Sequence, residues 1–248
     1  LQTTIDDLAG QVAAVIMEPM TSTWPVDGYL QGVRRITEEN GIVLVFDEML
    51  TGFRFAPGGA QEYFGVTPDL ACFGKALANG FPLSAIVGRR DILDLMPTIF
   101  FSGTFGGETL SLTAARVVLD RMETGVPTAT LASTGGRLLD KIEAARPAAS
   151  RSFLNFSGHP SWVFQQWSID DPETLAQAKT LLLQEMLRRG VLVLNTHDVT
   201  VAFTEEDLDL VSEAYATALS IVAEGLTQNT LLEQLECEPI RPLFRVRA

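Results

Sequence analysis

Apolar residues run along this chain in two rhythms. Short stretches such as QVAAVIMEP (11–19) and IVLVF (42–46) are apolar at successive positions and stop at a proline or an acid. Such runs predict strands buried on both faces, as in a parallel sheet. Between them Leu30, Val33 and Ile36 recur every three residues, predicting a helix capped by Asp27 and stopped at Asn40-Gly41. DLACFG (69–74) and LSAIVG (83–88) predict two more short strands, and GETLSLTAARVVLDRM (107–122) another helix. Strands alternating with helices predict an α/β layered domain.

After about residue 122 the texture changes, and the chain divides into 1–122 and 123–248. The second part opens with a turn and a linking helix within 123–150. SFLNFSG and SWVFQQWSI then predict paired strands, ETLAQAKTLLLQEMLRRG a helix ended by Gly190, and VLVLN a strand. Thr204 and Asp207 form a Thr-x-x-Asp box at the head of a long amphipathic helix. The whole reads as a smaller α/β unit, and RPLFRVRA at the end as a tail, docked or loose.

Composition narrows the classes. Of 248 residues, 46% are hydrophobic and 20% charged, an ordinary globular balance. The net charge of −13 is spread along the chain, which argues against nucleic acid or an anionic membrane as partner. No apolar run approaches the ~20 residues of a membrane span, and no signal peptide is visible. Cys72 and Cys237 make no metal motif and fit a reducing cytoplasm.

Three features carry chemistry. Asp47 and Glu48 stand where the run IVLVF ends, and the carboxyl ends of strands are where open α/β sheets bind ligands. Alternation places Asp47 and Met49 on one face and Glu48 on the other. Lys75 lies in FGKALANGFPLSAIVG among small and apolar neighbours, so its amine is expected to be buried. FSGTFGGETLSL is a glycine-rich turn with hydroxyls ahead of a helix, able to hold a phosphate through N–H groups and Ser or Thr. Each has a plain alternative: a solvated turn, a surface lysine, an ordinary loop. Together, an acid, a buried amine and a phosphate cradle match pyridoxal phosphate, with a ring nitrogen, an aldehyde and a phosphate. A hydrolase reading finds no Gly-x-Ser-x-Gly elbow. His159 and His197 read as ordinary loop residues and Cys72 as core.

In GYLQGVRRITEENGIVLVFDEMLTGFR, PDLACFGKALANGFPLSAIVGRRDI and SGTFGGETLSLTAA the chain resembles the class III, or omega, aminotransferases of the fold-type I pyridoxal-phosphate enzymes. The resemblance covers about residues 10–225 and is nearest to the glutamate-1-semialdehyde aminomutase branch. It implies part of a large, mostly parallel-sheet cofactor domain over 1–122, and a linking helix, a small C-terminal α/β domain and a tail over 123–248. It implies that Lys75 forms the Schiff base, that Asp47 partners the pyridinium nitrogen and that Met49 packs against the ring. Thr104 would reach the cofactor phosphate across a homodimer interface, and Glu18 matches a glutamate near the active site. The implied activity is amino-group transfer in the cytoplasm between a small amino donor and a carbonyl acceptor. The alternatives are intramolecular transfer by an aminomutase and a non-catalytic relative that keeps the fold. Two departures stand out: Gly107-Glu108-Thr109 replaces the family's Gly-Asn-Pro, and VLVLNTHDVTVAFTEEDLD lacks the Arg and Pro-Pro-Leu pattern of ornithine- and 4-aminobutyrate-type members. Leu1 is not an initiator methionine, and the resemblance starts in mid-domain. The 248 residues are therefore expected to be the C-terminal part of a longer enzyme, inactive alone.

Overall fold

A computed structural model describes residues 1–8 and 10–241, and the chain folds as two compact units, Leu1–Thr130 and Leu131–Ala248. All but Arg241 of the RPLFRVRA tail lies outside the described residues.

The first unit begins with the short helix α1 (Gln2–Asp7). It is then built on β1 (Ala14–Met17), α2 (Tyr29–Glu39), β2 (Val43–Asp47), α3 (Ala60–Phe64), β3 (Leu70–Phe73), β4 (Ala85–Gly88), α4 (Arg90–Leu93) and α5 (Thr109–Met122). The strands form one sheet in the order β1-β2-β3-β4. The first three are parallel, and β4 returns antiparallel to β3. Leu44 and Phe46 are fully buried and pack with Leu30, Val33 and Val66. Phe53, Ala71, Phe73, Leu77 and Ala115 form a second cluster.

At the amino-terminal end of β3, Asp69 draws the layers together. Its Oδ2 accepts from Leu44 N (2.8 Å) and from Arg34 on α2 (2.9 Å), and its Oδ1 accepts from Arg89 beside α4 (3.1 Å). Burial alone would raise this carboxyl's pKa. The Leu44 N–H and the two guanidiniums outweigh it and hold the group below its ordinary value.

The second unit contains α6 (Val126–Ala145, which begins in the first unit), β5 (Leu154–His159), β6 (Trp162–Trp167), α7 (Pro172–Arg188), β7 (Thr196–Asp198) and α8 (Glu205–Gln228). Its antiparallel sheet, ordered β5-β6-β7, and its helices close over Leu138, Ile142, Leu181, Met186, Tyr215 and Leu219. The Thr204–Asp207 capping box forms as the sequence predicts. After α8 the chain runs back along α7, where Ile240 N donates to Thr180 Oγ1 and Arg188 pairs with Glu236.

Three sequence expectations are corrected. Asp27 does not cap α2. The helix starts after Gly28, at φ 78°, with no side-chain cap, because the turn is made by the glycine backbone. VLVLN is not a strand: Val191 and Val193 are buried and Leu192 and Leu194 exposed, so the alternation is real, but β6 pairs with Thr196–Asp198 instead. His159 and His197 are not loop residues either. Both are buried in strands, at 5% and 7% exposure.

His197 Nε2 lies 2.8 Å from Tyr215 Oη, which also accepts from Gln165 Nε2 at 2.8 Å. The tyrosine proton is therefore directed at His197 Nε2, which requires a neutral imidazole with Nε2 bare. Burial lowers the His197 pKa from 6.5 to about 4, with Asp198 opposing. In the unfolded chain His197 takes a proton below pH 6.5, whereas in the fold it takes one only near pH 4. Its contribution is thus complete above pH 6.5 and is lost as the pH falls toward 4, by about 3 kcal/mol in all. Urea unfolding followed by tryptophan fluorescence should show this decline, and His197→Gln should flatten it while leaving Tyr215 an acceptor.

Candidate active site

The site is built where the parallel strands end. Met17 of β1 is in register with Phe46, and Asp47 is in register with Cys72 of β3. Continuing that register, Glu18, Asp47 and Cys72 stand side by side at the carboxyl edge of the sheet, on one face.

Glu48 points the other way and is 1% exposed. Its Oε2 accepts from Thr51 Oγ1 (2.5 Å) and Ala60 N (2.9 Å), and its Oε1 from Gln61 N (2.8 Å). A buried carboxylate thus takes the first N–H groups of α3, where the helix dipole favours an anion. The spacing Asp-Glu-x-x-Thr-Gly then has a physical reading. Thr51 supplies the hydroxyl. At Gly52 a Cβ would lie 2.5 Å from Glu48 O and 2.6 Å from the Phe73 ring, so only glycine fits. Glu48 anchors the loop, and alternation leaves Asp47 facing the opposite side.

Asp47 is half-buried, and its Oδ1 accepts from Met49 N at 3.0 Å. The Met49 side chain lies over Gly74: a Cβ there would meet its Sδ at 2.5 Å. Lys75 follows directly and opens a 3₁₀ turn, Lys75–Leu77.

The structure corrects the expected burial of Lys75. Its side chain is exposed, while Phe73, Leu77 and Ala78 sink into the core beneath it. Its backbone is unusual as well: Lys75 has φ +43°, in the left-handed region. No ion pair among the described residues holds its ammonium. A non-glycine residue in this region costs of order 1–2 kcal/mol and collects at functional sites.

Charge joins these residues. Glu18 keeps contact with solvent, yet partial desolvation and then the Asp47 carboxylate raise its pKa, while Lys75 pulls it down. Desolvation and Asp47 also raise the Cys72 thiol, which speaks against a nucleophile; the expected core placement is corrected, since Cys72 is half-buried and belongs to neither core cluster of this unit. Glu18, Asp47, Cys72 and Lys75 therefore share one electrostatic environment. The sequence pointed to Glu18 only through resemblance; the strand register accounts for it.

Thr104 is exposed in the loop before α5, and no described contact joins it to Asp47 or Lys75. Glu108 caps α5, accepting from Leu110 N (2.6 Å), Ser111 N (2.8 Å) and Ser111 Oγ (2.5 Å). Those bonds, the Ser111 hydroxyl first, hold its carboxyl below the ordinary value. An anion of the chain's own thus occupies the N–H groups at that helix start. A phosphate held by this turn would depend on Thr104 and its loop rather than on the first turn of α5. The amine, the carboxylate and the methionine over Gly74 fit the aldehyde, ring nitrogen and ring face of pyridoxal phosphate. Among the described residues no cluster of His, Cys, Asp and Glu could hold a metal ion.

The family model described as aminotransferase class-III matches residues 1–224. The glutamate-1-semialdehyde 2,1-aminomutase of Methanospirillum hungatei JF-1 is 34% identical over 234 residues, covering 87% of this chain and 55% of that protein. The same-named protein of Methanococcoides burtonii is 35% identical, with the same shares. The Sphingopyxis sp. MTA144 FumI protein, solved in its PLP internal aldimine form, is 26% identical with a TM-score of 0.82, over 91% of this chain and 55% of its own. An omega-transaminase from Sphaerobacter thermophilus, 24% identical with a TM-score of 0.80 over 90% of this chain and 55% of its own, shares the fold. The chain spans about half the length of the relatives it matches.

Two stability measurements test this geometry. Glu48→Ala leaves the Ala60 and Gln61 N–H groups buried without a partner and should destabilise the first unit by roughly 3 kcal/mol. Lys75→Gly relieves the left-handed backbone and should be about 1 kcal/mol more stable than Lys75→Ala. Denaturant titration of both variants checks the pair. Equal stability of the two Lys75 variants would contradict the strain.

Proposed function

The chain belongs to the class III aminotransferases, and on that premise we propose that it acts in pyridoxal-phosphate-dependent amino-group transfer with Lys75 and Asp47 as its catalytic pair. The observation that supports this most is that β2 and β3, parallel neighbours, carry Asp47 and Lys75 at or just beyond their carboxyl ends. The cofactor, when bound, supplies an aldehyde that captures amines and a ring that draws electrons from the amine-bearing carbon. Asp47 Oδ1 accepts from Met49 N, so Oδ2 would be the oxygen that holds the proton of a ring nitrogen. Met49, lying over Gly74, would cover one ring face and keep water from it. Lys75 Nζ, as a neutral amine, would be the base that takes the proton from the amine-bearing carbon and holds it for its return on the far side of the nitrogen.

A second reading is intramolecular transfer, which returns nitrogen to the neighbouring carbon of the same substrate. The aminomutase names of several relatives favour it, and Lys75 and Asp47 would serve it unchanged. In either case residues 1–122 are read as part of the large cofactor domain, and 123–248 as the linking helix, small domain and tail. The assembly is read as a cytoplasmic homodimer in which Thr104 serves the partner's phosphate. Phe100, 96% exposed, and Phe101 and Phe105 beside Thr104 give that loop an apolar surface for a partner. Among the described residues no helix is long and apolar enough to cross a membrane.

Borohydride trapping of the chain with pyridoxal phosphate, followed by peptide mapping, should place the label on Lys75. Labelling at Lys141 or Lys179, the other two lysines, would overturn the assignment. Asp47→Asn should keep cofactor absorbance but slow deuterium exchange at the substrate's amine-bearing carbon by roughly a hundredfold or more, the value of one charge-assisted bond.

A further inference from the structure

At the amino-terminal end of the first unit's sheet, α2 and β2 border a cavity of about 570 Å³, a usual size for a small-molecule site. Ile42 and Val43 give it an apolar wall, and Arg34, Glu38, Thr67, Asp69 and Arg89 give it polar groups. β2 runs from Val43 in this wall to Asp47 at the opposite edge, a span of about 13 Å at ~3.3 Å per residue. The cavity is therefore separate from the candidate active site. Its charges are not paired as their spacing would suggest. Arg34 and Glu38 stand one turn apart on α2, the spacing at which their neighbours Arg35 and Glu39 pair at 3.2 Å. Arg34 turns its Nη1 to Asp69 Oδ2 instead, at 2.9 Å. Glu38 is left with no ion pair or side-chain hydrogen bond among the described residues, and so is the Thr67 hydroxyl.

The two guanidiniums differ in what they have to spare. Arg89 is engaged at all three nitrogens, by Asp69 and Asp91, and lends the cavity only its charge. Arg34 uses Nη1 alone, so its Nε and Nη2 have no described acceptor. That edge of a guanidinium carries two parallel N–H donors, the fork that a carboxylate accepts with both oxygens. Two arginines and two acids border the space, so a lone anion would face Glu38 and Asp69, and a lone cation the guanidiniums. A ligand with both charges meets its opposite at each end. The turn between Arg34 and Glu38, about 5.4 Å, suits an ammonium and a carboxylate borne on one carbon. We propose that this cavity binds a free α-amino acid as its zwitterion. The carboxylate accepts from Arg34 Nε and Nη2, the ammonium donates to Glu38 and Thr67, and an apolar side chain lies against Ile42 and Val43. The site stands on these groups alone and does not rest on the proposed function.

An NMR titration of the 248-residue chain with L-valine, without pyridoxal phosphate, tests this. The amide shifts of Gly41 and Thr67 should saturate with a Kd on the order of a millimolar. N-acetyl-L-valine lacks the ammonium and L-valinamide lacks the carboxylate, and each should bind at least about tenfold more weakly. Glu38→Ala, at an exposed helix position, should weaken L-valine by about tenfold. Glu39→Ala, which removes the acid already paired with Arg35, should leave its binding unchanged. Lys75→Ala should also leave it unchanged, which separates this cavity from the candidate active site. Four results would each overturn the proposal: no saturable shift with L-valine, either analogue binding as tightly as L-valine, Glu38→Ala weakening it no more than Glu39→Ala, or binding lost with Lys75→Ala.

Discussion

The first unit depends on the burial of one carboxylate. Glu48, inside the protein, would be among the costliest groups in the chain if it stood alone. It is tolerated because Thr51 and the first N–H groups of α3 converge on it. Those same bonds fix the loop that leaves β2. Since successive strand residues face opposite sides, the inward Glu48 forces Asp47 onto the reactive edge. The adjacent pair of acids is thus a structural anchor and a chemical group, and neither is placed without the other.

The two ends of the sheet use acids differently. At the amino ends of the strands Asp69 is saturated by two arginines and a backbone N–H, which ties α2, β2 and the approach to α4 into one body. At the carboxyl ends Glu18 and Asp47 carry no such arginine among the described bonds, and the Asp47 carboxylate raises the energy of charge on Glu18. Satisfied charge holds the scaffold, and unsatisfied charge collects where a ligand can bind. That division follows from β1, β2 and β3 running parallel, which sends the acids at their carboxyl ends to the same edge.

Much of this was legible in the sequence, for identifiable reasons. IVLVF reads as a central strand because both of its faces are apolar, and Thr204 and Asp207 read as a capping box because two local bonds decide that geometry. The misreadings arose where tertiary structure overrode local pattern. VLVLN has the alternation of a strand, but pairing fell to the next three residues. Asp27 has the chemistry of a cap, but Gly28 takes the turn. His197 sits in a polar-looking stretch and is buried, because Tyr215, fifty positions after Gln165, completes a network that no local window contains; His159 is buried against Ser161, two residues on. Glu18 acquires its neighbours only through strand register.

Lys75 is the most informative disagreement. Its flanking residues are apolar, so the sequence implies a buried amine, yet the fold leaves the amine in water at a strained backbone position. The same mismatch recurs nearby: Phe81 is 43% exposed and Ile86 44%, in a stretch with hardly a polar residue. Local apolarity that a chain does not itself satisfy implies a surface covered by something else. The neighbours of Lys75 divide accordingly: Phe73, Leu77 and Ala78 sink into the core beneath it, while Phe81 and Ile86 stay in water with the amine.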